Sequence, residues 1–141
     1  MILSQDNYIE KAEKAILALK NKKVDKYGKP DRNGKPAKMV TTSKLRNILG
    51  MAADIYNEVL NCSEEQLSSA ICERIDYMQI RIVYEYGRDT ESQTPVKSFL
   101  EETQLLECVK EIKGSKSRYI LFNRYMEALV AFHKFYGGKE N

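Results

Sequence analysis

The stretch Lys116-Ser117-Arg118-Tyr119-Ile120-Leu121-Phe122-Asn123-Arg124-Tyr125-Met126-Glu127-Ala128-Leu129-Val130-Ala131-Phe132-His133-Lys134-Phe135-Tyr136 decides the fold. At 3.6 residues per turn, Ile120, Leu121, Phe122, Tyr125, Met126, Leu129, Val130, Phe132, Phe135 and Tyr136 lie on nearly every side of one helix. Such a helix must be covered from several directions, so it is expected at the centre of a bundle. Ser115 or Ser117 can open it, and Gly137-Gly138 can end it. Its polar residues opposite the core are Asn123, Arg124, Glu127 and Lys134, with Lys116 just upstream on the same line. His133 lies on the apolar side, where a hydrogen-bonded packing histidine is expected.

The segments upstream supply the cover. Ile9, Ala12, Ile16 and Leu19 recur at spacings of three and four after possible caps at Ser4 or Asp6, which predicts a helix to about Leu19. A second helix is predicted from Thr42 to about Asn61, with Leu45, Ile48, Leu49, Ala52, Ile55, Tyr56 and Val59 on one face. Ser63-Glu64-Glu65-Gln66 reads as a capping box for a third, carrying Leu67, Ile71, Ile75, Met78 and Ile82 and ending near Gly87. Thr94-Pro95 opens a fourth, with Phe99, Leu106, Val109 and Ile112 leading to a stop at Gly114. Ile80-Arg81-Ile82-Val83-Tyr84 could pass for a strand, but it sits within a longer helical pattern and has no hairpin partner. Between the first two helices, Gly28-Lys29-Pro30 is nearly repeated at Gly34-Lys35-Pro36, and the segment reads as a flexible loop. The expectation is all-α: a compact bundle of about five helices, a single domain over 1–141, with a long basic loop at about 21–40.

Composition agrees. In 141 residues, 43% apolar content is enough for one core without metal or disulfide support. Cys62, Cys72 and Cys108 form no C-x-x-C pair, so neither a disulfide framework nor a zinc knuckle is expected. No apolar run approaches a membrane span, and Met1-Ile2-Leu3-Ser4 lacks the start of a signal peptide, so the cytoplasm is the expected compartment. Catalysis has little to work with. The one histidine offers no triad, and Gly28 and Gly34 are spaced one residue too far for a phosphate-binding loop, with Pro36 after Lys35. Asp89 and Glu91 follow Gly87-Arg88, where carboxylates more commonly cap the next helix than bind metal. No catalytic residue, metal or cofactor is expected.

Charge is concentrated. Lys20 to Arg46 holds ten basic and two acidic residues, a local balance of +8, while the rest of the chain stands at −5. Such an arm attracts a polyanion through counterion release, which points to nucleic acid; a solvated linker accounts for it equally. Thr41-Thr42-Ser43-Lys44-Leu45-Arg46-Asn47 then brings hydroxyls, free amides and two cations to a helix start, a combination that can hold phosphate, though Thr42 could be an ordinary N-cap. Arg74, Arg81 and Arg88 recur every seven residues, with Tyr77 and Tyr84 alongside. The stripe can grip phosphates or stack on bases, but pairing of Arg81 with Glu85 and tyrosines packed on a neighbouring helix explain much of it. Lys113, Lys116, Arg118 and Arg124 fall together without an acid among them, which suggests a binding edge, although a bundle's surface must be polar somewhere and that accounts for it equally.

Arg124 to Lys139, preceded by Glu85-Tyr86-Gly87-Arg88-Asp89 and Thr42-Ser43-Lys44-Leu45-Arg46-Asn47, resembles the small helical subunit of type III-A CRISPR effector complexes, the Csm complexes. The resemblance runs from Val40 onward, and the C-terminal stretch is its most specific part. It implies a non-catalytic subunit of an antiviral guide-RNA complex, stacked head to tail with its own copies and beside other subunits. It also implies contact with the backbones of guide RNA and target RNA, guide pairing supplying the sequence specificity. Together with the charge pattern it makes Lys44, Arg46, Arg81, Lys116, Arg118 and Arg124, with Arg88 and Lys134, the candidate RNA-binding residues. Two other functions fit a small basic helical protein: a DNA-binding regulator built on a helix-turn-helix-like pair, and an adaptor that binds only protein.

Overall fold

A computed structural model describes residues 1–137. Its elements are α1 (Tyr8–Asn21), β1 (Lys23–Val24), β2 (Lys35–Pro36), α2 (Thr42–Leu60), α3 (Ser69–Gly87), α4 (Pro95–Thr103), α5 (Leu105–Lys110) and α6 (Lys116–Phe135). Gly138 and Lys139, at the end of the quoted C-terminal run, lie outside the described residues.

The molecule is a helical bundle built around α6, which packs against α1, α2 and α5, while α3 closes the far side against α2, α4 and α5. Tyr119, Phe122, Tyr125, Met126 and Leu129 of α6 are all buried. Burial of two tyrosines is tolerable because both hydroxyls find carbonyls: Tyr119 donates to Ala52 O at 2.6 Å and Tyr125 to Thr103 O at 2.8 Å. The cover is incomplete at the C-terminal end, where Phe135 is 77% exposed. Asn123, expected opposite the core, is instead buried. Its amide reaches Glu127 Oε1 at 2.7 Å, because the helix is enclosed on more sides than its polar residues indicate.

The apolar faces of α1 to α3 point inward with few exceptions. Ile9, expected in the face of α1, is 55% exposed, while Ala12, Ala15, Ile16 and Leu19 form the buried stripe. Thr41, and not Thr42, caps α2: its hydroxyl accepts the Lys44 amide at 3.3 Å. The strand-like run at 80–84 is helical, inside α3.

Two local readings are corrected. Ser63-Glu64-Glu65-Gln66 does not open α3, which begins six residues later under a Ser68 cap. Glu65 reaches across to the start of α6, where its carboxylate accepts from the hydroxyls of Ser115 and Ser117 and from the Ser117 amide. The Leu67 amide donates to Gly114 O at 2.8 Å, so the connection between α2 and α3 is stitched to the turn before α6. The fourth expected helix is two helices, broken at Gln104, whose φ of +55° turns the chain left-handed. This break resets the helical phase, so Leu105 is buried where Leu106 was expected.

The basic segment is not featureless. β1 and β2 pair antiparallel, Lys23 opposite Pro36 and Val24 opposite Lys35. Asp25 and Asp31 organise two turns, the Asp25 carboxylate accepting the Tyr27 and Lys29 amides and the Asp31 carboxylate that of Asn33. Gly34 is required: a Cβ there would stand 2.1 Å from Val24 O. Val24 and Val40 are buried and anchor the segment at both ends.

Candidate nucleic-acid interface

α2 and α3 run side by side in opposite directions, so the start of α2 meets the end of α3 and the turn at 88–94. Their other ends meet too, where Arg74 pairs with Glu58. At the first end four cations lie around two carboxylates. Lys38 Nζ is 2.8 Å from Glu91 Oε1 and Lys44 Nζ is 2.8 Å from Glu91 Oε2. Arg88 Nε is 3.1 Å from Glu85 Oε2, and Arg81 stands 3.8 Å from the other oxygen. A polar depression of about 450 Å³ lies between them, lined by Lys44, Glu85, Arg88, Asp89, Thr90 and Glu91.

The turn that supplies Glu91 is held by Asp89. One Asp89 oxygen accepts the Glu91 amide at 3.2 Å, and the other accepts Val96 N at 2.8 Å and Lys97 N at 3.1 Å. Asp89 thus caps α4 in place of Thr94, whose side chain makes no capping bond. The general expectation of a capping carboxylate holds for Asp89, while Glu91 serves the lysines. The basic segment is docked on this turn: the Lys38 amide donates to Gln93 Oε1 at 2.6 Å.

The start of α2 is fixed from α6. His133 is fully buried and donates from Nε2 to the Val40 carbonyl at 2.6 Å, which leaves Nδ1 to accept from the Thr42 hydroxyl at 3.4 Å. The histidine is a packing residue, as expected, and it sets the direction in which the basic segment enters α2.

The eight candidate residues therefore divide. Lys44, Arg46 and Arg88 gather at this end, with Arg81 one to two turns back along α3 and Lys134 exposed next to His133. Lys116 and Arg118 lie at the opposite end, about 24 Å away if measured along α2 from Lys44 to Leu60. The Lys116 ammonium donates to Cys62 O. The Arg118 guanidinium donates to Leu3 O at 3.0 Å and to Glu111 Oε2 at 3.1 Å, tying the N-terminal segment to α5 and α6. Arg124 is exposed midway along α6.

The Arg and Tyr stripe faces solvent. Tyr77 and Tyr84 are 58% and 51% exposed, so packing against a neighbouring helix does not explain them. Arg81 and Arg88 lie over the Tyr84 ring at 5.1 and 5.6 Å. Ile80 and Val83 are exposed beside them, which makes one side of α3 both aromatic and apolar.

Lys38 is the site residue that sequence reading did not single out, and Glu91 was noted only as a capping carboxylate or metal ligand, not as a partner of lysines. Lys44 and Glu91 are 47 positions apart, and no periodicity links them.

Electrostatics follow these contacts. The ammonium groups of Lys38 and Lys44 hold the Glu91 carboxyl below the ordinary 4.5, and the hydroxyls of Ser115 and Ser117 do the same for Glu65. Burial pushes the Cys108 thiol up to about 12, so it stays protonated and unreactive. A carboxyl with a depressed folded value stabilises the fold above its unfolded value and ceases to do so as pH falls through the folded one. Stability should therefore decline below about pH 4.5, and the decline should be shallower in Glu65→Gln and Glu91→Gln. Denaturant midpoints measured across that range give the test; parallel curves for all three proteins would refute it.

Among the described residues no helix is long and apolar enough to cross a membrane, and no cluster of His, Cys, Asp and Glu could hold a metal ion.

The family model described as Csm2 Type III-A matches residues 18–139. The chain belongs to the Csm2 type III-A family. Among the Csm2 relatives, the Streptococcus thermophilus "CRISPR system Cms protein Csm2" is 35% identical over 99% of this chain and 98% of its own length. The protein of that name from Mycobacterium tuberculosis (strain CDC 1551 / Oshkosh) is 32% identical over 99% of both chains. The one from Enterococcus italicus is 34% identical over 69% of this chain and 68% of its own. The resemblance read from Val40 onward thus extends upstream: the Csm2 match takes in the basic segment with β1 and β2.

Proposed function

We propose that this chain is a non-catalytic structural subunit of a type III-A CRISPR effector complex that binds the backbones of guide RNA and target RNA in antiviral defense. The observation that carries the RNA contact is the convergence of Lys38, Lys44, Arg81 and Arg88 at one end of a bundle in the Csm2 family, the end at which Arg46 also lies in the first turns of α2. Cations on an exposed rim suit phosphates, which repeat regularly and need no base-specific geometry. Base reading is unnecessary where guide pairing carries the sequence information. The non-catalytic reading is supported by His133, whose two ring nitrogens are engaged in the core. The cytoplasm, where guide and target RNA are found, is the compartment that suits this role.

The exposed Tyr77, Ile80, Val83 and Tyr84 favour an additional contact with protein, either another subunit or a further copy stacked head to tail. A helix-turn-helix regulator is less well supported. α2 and α3 are each 19 residues long, and each buries an apolar stripe within the bundle.

The test is to tag the chain in its native host, purify it gently and digest the associated nucleic acid selectively before sequencing. Short RNAs sharing one constant end and differing in the remainder are the expected result. Protein alone, or duplex DNA alone, would replace the proposal with the adaptor or the regulator.

A further inference from the structure

The clasp of Lys38 and Lys44 on Glu91 lies at the surface and joins three separate pieces of the chain. Lys38 comes from the basic segment, Lys44 from the first turn of α2 and Glu91 from the turn before α4. Each Glu91 oxygen takes one ammonium at 2.8 Å. The two nonbridging oxygens of a phosphodiester could be gripped by the same two ammonium groups. Arg88 borders the depression beside them, itself paired with a carboxylate, Glu85. Lys38, Lys44, Glu91 and Arg88 remain partly open to solvent, so their ion pairs are screened and weakly held.

We propose that Lys38 and Lys44 form a phosphodiester-binding site whose resident counter-ion is Glu91, and that an RNA phosphate displaces the Glu91 side chain to enter it. This rests on the reading of the chain as an RNA-backbone binder and adds to it a site residue, Lys38, and a built-in competitor. The competitor limits affinity: each phosphate gained at this site costs the separation of Glu91 from two cations. It also selects for a backbone that presents several phosphates at once, because a lone anion must displace Glu91 without help from neighbouring contacts. The Asp89 cap keeps the turn in place while only the Glu91 side chain moves, since Asp89 is bonded to backbone amides and not to the lysines.

The experiment measures binding of the 141-residue chain to a fluorescent single-stranded RNA by anisotropy, from about 50 mM salt upward. Wild type is compared with Glu91→Gln, Lys38→Ala, Lys44→Ala and Lys38→Ala combined with Glu91→Gln. Glu64→Gln, beyond the far end of α2, controls for loss of one negative charge. Circular dichroism melting shows that each variant is folded.

The expected result is a gain of about threefold to tenfold for Glu91→Gln with a steeper salt dependence, and a loss for either lysine variant. The gain should largely vanish in the Lys38→Ala background, because the two side chains act on the same phosphate. If the lysine variants weaken binding but Glu91→Gln leaves it unchanged or weaker, the displaceable counter-ion is wrong and the RNA-binding reading stands. An equal gain from Glu64→Gln would assign the effect to overall charge and overturn the site. If wild type does not bind, or binds no differently from the lysine variants, both the site and the RNA contact here are overturned.

Discussion

Charge reversal at Lys44 and Arg46 together is expected to weaken RNA binding by the assembled complex by roughly tenfold to a hundredfold near physiological salt. Both residues belong to the first turns of α2, which Thr41 caps and which His133 orients from α6, so their backbone positions survive the substitution. The effect comes from two sources. On the proposed RNA contact, two phosphate contacts would be lost and two carboxylates would stand where the RNA backbone is proposed to pass. The signature is in the salt dependence: the slope of log affinity against log salt should become shallower by about 1.4 to 1.8, the share of two phosphates. A drop in affinity with an unchanged slope would indicate a damaged fold. Unchanged affinity would remove both residues from the interface.

The largest effect on stability is expected from Phe122→Ala. The ring lies in the middle of α6, 1% exposed, tilted against Tyr119 with centroids 5.9 Å apart. Truncation leaves a cavity enclosed by neighbouring helices, so about 3–5 kcal/mol should be lost, a third or more of a typical folding free energy. Thermal melting should fall on the order of 10 °C. Phe135→Ala, on the same helix but 77% exposed, should change stability by no more than about 0.5 kcal/mol. Equal losses from the two would contradict the central placement of α6. The pair is informative because the sequence pattern treats these two phenylalanines alike.

That contrast marks where periodicity stops being informative. A spacing of three and four residues reports that a helix has an apolar side, and it identified α1, α2, α3 and α6 to within a few residues, with the exception of the start of α3. It does not report how far along the helix the covering elements reach, so Ile9 and Phe135 were read as core and are exposed. The break at Gln104 was hidden because no glycine or proline marks it, and Leu105 and Leu106 fit a continuous helix as well as a broken one. The motif at Ser63 was misleading for a related reason. Ser, Glu and Gln have the right chemistry for capping, and Glu65 does cap a helix, but the helix is α6, which starts about fifty residues later.

The candidate interface divides in the same way. The excess of cations between Lys20 and Arg46 and their proximity to the start of α2 were evident from the order of residues alone. Their pairing was not. Lys38 and Lys44 meet Glu91 only because α2 and α3 run in opposite directions and Asp89 fixes the turn that follows α3. Arg118, by sequence one more member of a basic edge, is turned inward to Glu111 and Leu3 O.

By itself the sequence determined the helical class, the central position of the last helix, the concentration of positive charge and the family, because each depends on residue type and short-range spacing. Only the tertiary structure decided which cations face one another, which carboxylate neutralises them and which end of the molecule gathers them. Those outcomes depend on the relative direction of helices far apart in the chain, which is set by the packing of whole apolar faces and leaves no local trace in the polar residues that it brings together.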